Sequence, residues 1–442
     1  MLMVPILLSR LMDQFGLSLE QITSLRMWTL CYFLYGVMAL PAGFLADKWS
    51  YKAVLTTFFI GTPAAACVIG LAQSALGLSI GMALLGVFAS LYHPSGLAMI
   101  SHGVRERGEA LGLQGMAGNL GLAFSPVIVG FLASSLSWRY AFYLLSLPSF
   151  ITVIIFLLMS RRIEEKEHTG NTVKNSPNAP AQRLTLAAII LLYVAMAVAG
   201  FCYQGATTML PTYLDSKMIF SVKPEFQSNL DNSTIPEGLR QEFDNNGISL
   251  SQNAAVSIKK AGSRWQVTDG SRSYIVWKEA DKLKIYMSTG RGKMFTTMIF
   301  LVGMLGQYMG GYLSDKRRKT LLYLIFNAVS MPFMILIGLA TSTLIVIAAA
   351  LFALFHFAGQ PVENNLIAQY IPPRLRSSGY GLKFVFTFGL GSFGSRFVGY
   401  VGERFGLNSV FIALGGVIFM IVILTSLLSL AAKESRRILK EA

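Results

Sequence analysis

Eleven separate apolar runs, each about 20 residues or longer, limit what this chain can fold into more than any other feature. They cover roughly 25–45, 53–74, 76–100, 110–134, 139–159, 184–210, 294–313, 320–340, 343–371, 379–402 and 407–431. A bilayer core is about 30 Å thick, and a helix needs about 20 residues to cross it. Hydrocarbon offers no partner for backbone polar groups, so runs of this length predict helices. The expected fold class is an all-α multi-pass membrane protein. Hydrophobic residues at 53% and charged residues at 13% agree with that, since a soluble chain carries about 25% charge. Cys31, Cys67 and Cys202 all lie in apolar runs and imply no disulfide framework.

A twelfth run is cut short. Residues 1–8 are apolar, but Arg10 follows at once. Nine helical residues rise only about 13 Å, so residues 1–12 read as the end of a first span whose beginning is absent. A start codon placed too late is the favoured explanation. The stretch is too short and wrongly flanked for a signal peptide.

Lysine and arginine in the short loops set the orientation. One set of loops carries Lys48, Lys52, Arg105, Arg107, Arg161, Arg162, Lys316, Arg317, Arg318, Lys319, Arg374 and Arg376, and the tail adds Lys433, Arg436, Arg437 and Lys440. The alternate loops hold only Arg10, Arg26, Arg139 and Arg404. The first set is expected in the cytoplasm, together with the C-terminus, and an inner-membrane location follows. The net charge of +15 is then mainly an orientation signal, and no nucleic-acid partner is needed to account for it.

Two polar segments interrupt the pattern. Residues 160–183 are charged and then rich in Asn, Pro, Thr and Ser, as a cytoplasmic linker would be. They separate an N-terminal bundle (1–159, the stub plus five spans) from a C-terminal bundle of six (184–442). Residues 215–293 fall between the seventh and eighth spans and are expected outside. Within them, residues 233–246 carry helix-start signals, with Ser233 or Thr234 as cap, Pro236 and Glu237 behind it and Gly247 as a stop. Val256/Ile258, Trp265/Val267, Tyr274/Val276 and Leu283/Ile285 recur at period two, which predicts strands. A small extracytoplasmic α+β module with a three- or four-stranded meander is expected, either a decorated loop or a lid over the outer mouth. Asn232-Ser233-Thr234 is a formal glycosylation sequon and carries little weight.

The halves repeat. GFLADKWSYK (43–52) follows the second span and GGYLSDKRRK (310–319) the eighth. ASLYHPSGLAMI (89–100) in the fourth span parallels FAGQPVENNLIA (357–368) in the tenth, each with a polar residue before a mid-helix proline, His93-Pro94 and Gln360-Pro361. Internal repeats of this kind are typical of secondary transporters.

These residues resemble the major facilitator superfamily over nearly the whole chain outside 215–293 and the missing first helix. Gly43-x-x-x-Asp47-Lys48-x-x-x-Lys52 looks like the signature loop between the second and third helices, with Ser50 and Tyr51 where a glycine and a basic residue are usual. Gly311-x-x-x-Asp315-Lys316 looks like its echo. Gly121-Leu-Ala-Phe-Ser125-Pro126-x-x-x-Gly130 is similar to the Gly-Pro motif of antiporters, with Ser125 for a glycine. Tyr92-His93-Pro94 and Gly118-Asn119-x-Gly121 look like the fosmidomycin-resistance branch. The resemblance implies two six-helix bundles. It also implies that Asp47 meets the start of the eleventh span near residues 377–381 in the outward-facing state, with Lys48 and Lys52 binding acidic or carbonyl groups nearby. An acid at a helix N-terminus gains about 0.3–1 kcal/mol; a merely solvated loop acid is the alternative.

Ionisable residues inside spans are costly and mark pathways. Here they are Glu363, Lys383 and Arg396, with His93 and His356. His356, Gln360, Glu363 and Asn364 form one stripe on the tenth helix. With Tyr203 and Gln204 in the seventh span and Gln114 and Asn119 in the fifth, they are expected to line a central cavity that holds the substrate. Glu363 is the candidate proton carrier, with a structural salt bridge to Lys383 as the alternative. His93 is a second candidate, or else a histidine hydrogen-bonded in a proline-kinked helix. Arg396 sits about 140° round from Lys383 at 100° per residue; it could bind an anionic substrate, pair with the module or snorkel. Gly115, Gly118 and Gly121 are expected to permit close helix packing.

The sequence has no GxxxxGK[ST] loop, no metal-ligand cluster and no nucleophile constellation. Neither a primary pump nor an enzyme is expected, and no cofactor or metal. The leading reading is a monomeric secondary transporter that moves a small organic solute by proton-coupled efflux and alternating access. Proton-coupled uptake of a carboxylate, sugar or peptide-like solute is the second reading, and a non-transporting membrane sensor the third.

Overall fold

A computed structural model describes Leu7, Leu11, Gln14, Phe15 and residues 28–160, 179–216, 219–222, 224–232, 234–245, 257–261, 264–269, 272–279, 282–287, 291–340 and 343–441. Most of the stub at 1–12, the linker at 161–178, Ser233, Val256 and Gly247 lie outside the described residues. The chain divides into two compact units, Met1–Thr207 with Thr297–Ala442, and Thr208–Thr296.

The helices of the first half are α1 (Trp28–Val37), α2 (Ala39–Lys48), α3 (Tyr51–Leu71), α4 (Ala75–Ser90), α5 (Tyr92–Gly103), α6 (Arg107–Ser135) and α7 (Trp138–Ser160). The next, α8 (Ala179–Ser216), precedes the insertion, which carries α9 (Gln227–Asp231) and α10 (Glu237–Asn245). The second half continues with α11 (Arg291–Lys316), α12 (Lys319–Leu339), α13 (Thr343–Tyr370), α14 (Arg376–Phe384), α15 (Ser392–Phe405) and α16 (Leu407–Glu441). Among the described residues, eight helical stretches are long and apolar enough to cross a membrane. The runs read at 110–134, 294–313 and 379–402 are helical too, the last as two α-helices joined by a π-helical stretch.

Large apolar side chains such as Phe33, Leu71, Phe131, Ile154, Leu158, Leu305, Phe419 and Leu430 stand exposed on the bundle surface. In water such a surface would drive association; against lipid tails it carries no penalty. Inside, Leu7 and Leu11 are fully buried beside Cys31, Ile69, Met82 and Phe142.

Serines start two of the helices. Ser50 accepts from Ala53 N at the start of α3 and Ser74 from Gly77 N at the start of α4, meeting one orphan donor each. Prolines shape the spans differently than the repeat suggests. Pro94 does not lie mid-helix: the fourth span breaks at Leu91, and Pro94 occupies the first turn of α5. Its ring nitrogen offers no N–H to the Ser90 carbonyl four residues back, and the chain tightens there, with Leu91 N donating to Phe88 O. Pro361 is carried within an unbroken α13. The eleventh span is not one α-helix: α14 passes into a π-helical stretch, Val385–Leu390, before α15 resumes. Such wide turns are rare and often found at functional sites.

The second unit is built on a five-stranded antiparallel sheet of β1 (Ile219–Val222), β2 (Ser257–Ala261), β3 (Arg264–Asp269), β4 (Arg272–Glu279) and β5 (Lys282–Met287), ordered β1-β5-β4-β3-β2. The expected meander is β2 to β5. The fifth strand, β1, pairs with β5 in the register Phe220↔Ile285 and was not expected, because its apolar residues directly follow the long α8 run. Trp265, Val276 and Ile285 line up across three strands. With Val267, Tyr274 and Leu283 they form one buried face, covered by Leu230 of α9 and by Leu239 and Phe243 of α10. The helix begins at Glu237, not at residue 233. Phe243 packs edge-on to Tyr274 at 5.5 Å, and Trp265 Nε1 donates to Asp231 Oδ1 at 3.1 Å. Truncating a buried phenylalanine costs about 3–5 kcal/mol. Phe243→Ala is therefore expected to make this unit the preferred site of limited proteolysis in the intact chain, at protease levels that leave the unsubstituted protein uncut.

Candidate functional site

The end of the bundle that carries the basic loops is held shut by two matched contacts. Asp47, at the last turn of α2, accepts from Ser377 N through Oδ1 (2.9 Å) and from Ser378 N through Oδ2 (2.8 Å), with Ser378 Oγ donating at 2.5 Å. Asp315, at the last turn of α11, accepts from Gly108 N (2.9 Å) and Glu109 N (2.9 Å). Each carboxylate thus occupies the N-terminus of a helix from the other half, where unpaired N–H groups and the helix dipole favour an anion. Asn365 adds a donor to Asp315 at 3.1 Å.

Glycines let the backbones approach. A Cβ on Gly43 would lie 2.4 Å from Ser377 O, and one on Gly381 2.4 Å from Ala39 O. The mirror pair is Gly311, 2.4 Å from Gly108 O, and Gly112, 2.7 Å from Gln307 O. Lys52 Nζ reaches the Ser160 carbonyl at 2.9 Å. Lys316 leans on the Tyr312 ring at 3.9 Å, and Lys48 is exposed. The helices that receive the two carboxylates share a pattern: RERGEALGLQ (105–114) aligns with RLRSSGYGLK (374–383). The repeat therefore extends to a third pair of helices, which the signature loops alone did not disclose.

A buried ion pair lies deeper, confined to the second half. Lys383 Nζ of α14 is 2.9 Å from Glu363 Oε2 of α13, and neither side chain is more than 8% exposed. Tyr323 of α12 donates to Glu363 Oε1 at 2.6 Å, and Lys383 also donates to Asn364 Oδ1 at 2.7 Å. Tyr380 OH donates to Asn364 O and Asn327 to Tyr323 O, so the pair sits in a hydrogen-bonded network, as burial of charge requires. In the aligned first half, Gly96 stands in the place of Glu363 and Gln114 in that of Lys383.

Around this pair are two stacks of rings. His93 lies on Phe384 (centroids 4.3 Å apart, 18°), and Phe384 on Phe388 (5.6 Å, 9°). Phe352 lies on His356 (5.0 Å) and His356 on Tyr203 (6.3 Å, 9°). His356 Nδ1 and Asn119 Nδ2 are buried without hydrogen-bond partners. Gln307 donates to Gln360 at 2.8 Å, and Gln114 to Tyr92 OH at 3.3 Å; Gln204 is half-buried. Arg396 is not brought to this group. It is exposed on α15, beyond the π-helical stretch that interrupts the 100° spacing. Gly115 faces the Gln307 side chain, but Gly118 and Gly121 face open space and make no close packing. Tyr323, Gln307 and Asn365 escape sequence reasoning, because a lone tyrosine or amide in an apolar run looks the same whether it packs or partners a charge.

Two repeated helical halves, latched at one end by reciprocal carboxylates and carrying a buried charge pair, define a multi-pass membrane protein of transporter architecture. The chain belongs to the Major Facilitator Superfamily, whose family model matches residues 1–228 and 281–441 and leaves out most of the insertion. Over 96% of its length it superposes on 94% of the superfamily transporter FucP, solved in the outward conformation, with TM-score 0.60 and 17% identity. Over 90% it superposes on 82% of the human organic anion transporter MFSD10, with TM-score 0.57 and 12% identity. Among curated proteins it is similar to the puromycin resistance protein pur8 of Streptomyces alboniger, 28% identical over 34% of this chain and 30% of that one. It is also similar to the multidrug transporter MdtP of Bacillus subtilis, 28% identical over 33% and 27%. The MFS-type transporter olcL of Penicillium canescens is 31% identical over 26% and 20%. The chain thus spans less than a third of each of these three curated relatives.

Proposed function

We propose that this protein is a monomeric secondary transporter that moves a small organic solute by alternating access, coupled to protons and directed outward. The observation that carries it is the pair of reciprocal latches: Asp47 on Ser377 and Ser378, Asp315 on Gly108 and Glu109. Hydrogen-bonded latches that join the two halves at the basic end are what a machine needs if that end is to open and close. The positive-inside rule puts that end in the cytoplasm of an inner-membrane protein, so the closed arrangement faces outward.

The ion pair supplies a route for coupling. Lys383 stands on the same short helix as Ser377 and Ser378, about 7–9 Å of helix rise from them. Protonation of Glu363 would dissolve its pair with Lys383 and free α14, the helix that Asp47 holds, and His93 stacks on the adjacent Phe384. Tyr203, Gln204, His356, Gln360, Gln114 and Asn119 would line the solute path. Efflux is favoured by the antiporter-like Gly121 to Gly130 run and by the resistance and multidrug names of two relatives. A membership in the fosmidomycin-resistance branch belongs to the same reading.

Flux in proteoliposomes with and without a pH gradient tests the reading; gradient-independent flux would end the coupling claim. Asp47→Asn and Asp315→Asn should act alike, because the two sites are built alike. Each exchanges a charged acceptor for one that also presents a donor to backbone N–H. A hydrogen bond to a charged group is worth about 1.5–3 kcal/mol, so each should lower the closed-to-open ratio by about 10- to 100-fold, read as alkylation of a cysteine introduced inside the basic end.

A further inference from the structure

We propose that His102 is a proton-dependent strut of the closed basic end, a positioning residue that makes closure sensitive to pH at that face. It rests on the alternating-access reading but has its own observable.

His102 is in the last turn of α5. Its Nδ1 lies 2.7 Å from Ala98 O in its own helix, and its Nε2 lies 3.1 Å from Pro373 O, on the loop that leads into α14 in the other half. Both neighbours are carbonyl oxygens, which only accept. A neutral imidazole has one N–H and can satisfy one of them; the imidazolium has two and satisfies both. The charged form also suits its place, since a cation is favoured at a helix C-terminus. The strut is therefore complete only when His102 is protonated.

A permanent cation does the same work next to it. Arg376 Nη1 donates to Ser101 O at the end of α5 (3.2 Å) and Nη2 to Ala368 O at the end of α13 (3.0 Å). Ser101 and Ala368 each stand seven positions after their repeat proline, Pro94 and Pro361. One guanidinium thus ties equivalent carbonyls of the two halves. Closure rests on a fixed cation and a titratable one, side by side.

The groups around His102 are those of the elements packed on it. Tyr51 of α3 stacks on its ring (6.1 Å, 13°), between Lys48 and Lys52 in sequence. Arg374 and Arg376 follow Pro373, and Arg105, Glu106 and Arg107 follow His102. The cations among them oppose charging of the ring, and Arg374 and Arg376 come with the Pro373 loop; Ala98 O stands in His102's own helix in both states, so what closure adds in favour of charging is the second acceptor, Pro373 O. On this proposal the second acceptor outweighs those cations, and by linkage protonation of His102 then favours closure. The stabilisation is full below the open-state value, about 6.5 for an ordinary histidine, and is lost as pH rises through the closed-state value. A one-unit difference changes the closed-to-open ratio about tenfold.

The test is an electron-spin distance measurement on the full chain, with Cys31, Cys67 and Cys202 replaced by alanine and labels at Val104 and Arg317, one in each half. Between pH 5.5 and pH 8 the closed population should fall several-fold more in this parent than in His102→Phe, which keeps the ring and loses both donors. His102→Arg, which keeps two donors at every pH, should stay closed across the range. Equal pH dependence in the parent and His102→Phe overturns the proposal, as does an opening of His102→Arg that follows the parent. A chain that shows no solute flux but keeps this difference would refute transport and leave the strut standing.

Discussion

Glu363→Ala should destabilise the detergent-solubilised protein by about 3–5 kcal/mol, because it leaves the Lys383 ammonium buried without its counter-ion. Adding Lys383→Met should recover most of that loss, since an apolar pair of similar volume escapes the desolvation cost. Thermal unfolding of the two variants separates a strained charge from a lost cavity wall: if the double variant is no more stable than Glu363→Ala, the ionic account of the pair is wrong. Glu363→Gln keeps the shape and an acceptor for Tyr323. It is the variant for transport, and proton-driven flux should vanish in it. Unchanged flux would remove Glu363 from the mechanism while leaving its structural role intact.

Gly43→Val and Gly311→Val should each hold the basic end open. At both positions the added carbon would lie 2.4 Å from a backbone carbonyl of the opposite half, Ser377 O or Gly108 O, and backbone cannot rotate out of the way. The helices must separate, and two charge-assisted hydrogen bonds lengthen with them. At about 1.5 kcal/mol or more each, their loss shifts the closed-to-open ratio by about 100-fold. Gly118→Val is the control, because nothing lies within 4 Å of its added carbon. Labels across the basic end should report a shift in the first two and none in the third; a closed Gly43→Val would refute the tight-packing account.

Much of this molecule is written in its residues, and the omissions have physical causes. The spans are legible because hydrocarbon leaves helices as the form an isolated apolar run can take. The meeting of Asp47 with residues 377–378 is legible through the resemblance, which implies that partner, whereas the residues alone leave a solvated loop acid open. The partner of Asp315 was also encoded, in the likeness of residues 105–114 to 374–383, but it emerges only when the repeat is followed past the signature loops. Arg396 was placed by counting 100° per residue along the eleventh span, and Val385–Leu390 does not obey that period. The β1 strand is four residues long and borders an apolar helix, so period two has no room to show.

The unequal repeat bears on energetics. The latch is duplicated, but the buried carboxylate is not: Gly96 stands where Glu363 would be. Among the described residues of the membrane unit, Glu363 is the one acid buried in the interior. If it carries the coupling, each cycle exchanges a single proton. One proton falling through one pH unit releases about 1.4 kcal/mol, enough to sustain a tenfold concentration ratio of a neutral solute. On that reading the ceiling on accumulation is set by what one proton releases in crossing the membrane, through the pH difference and the potential together, at one decade of neutral solute for each step of about 1.4 kcal/mol.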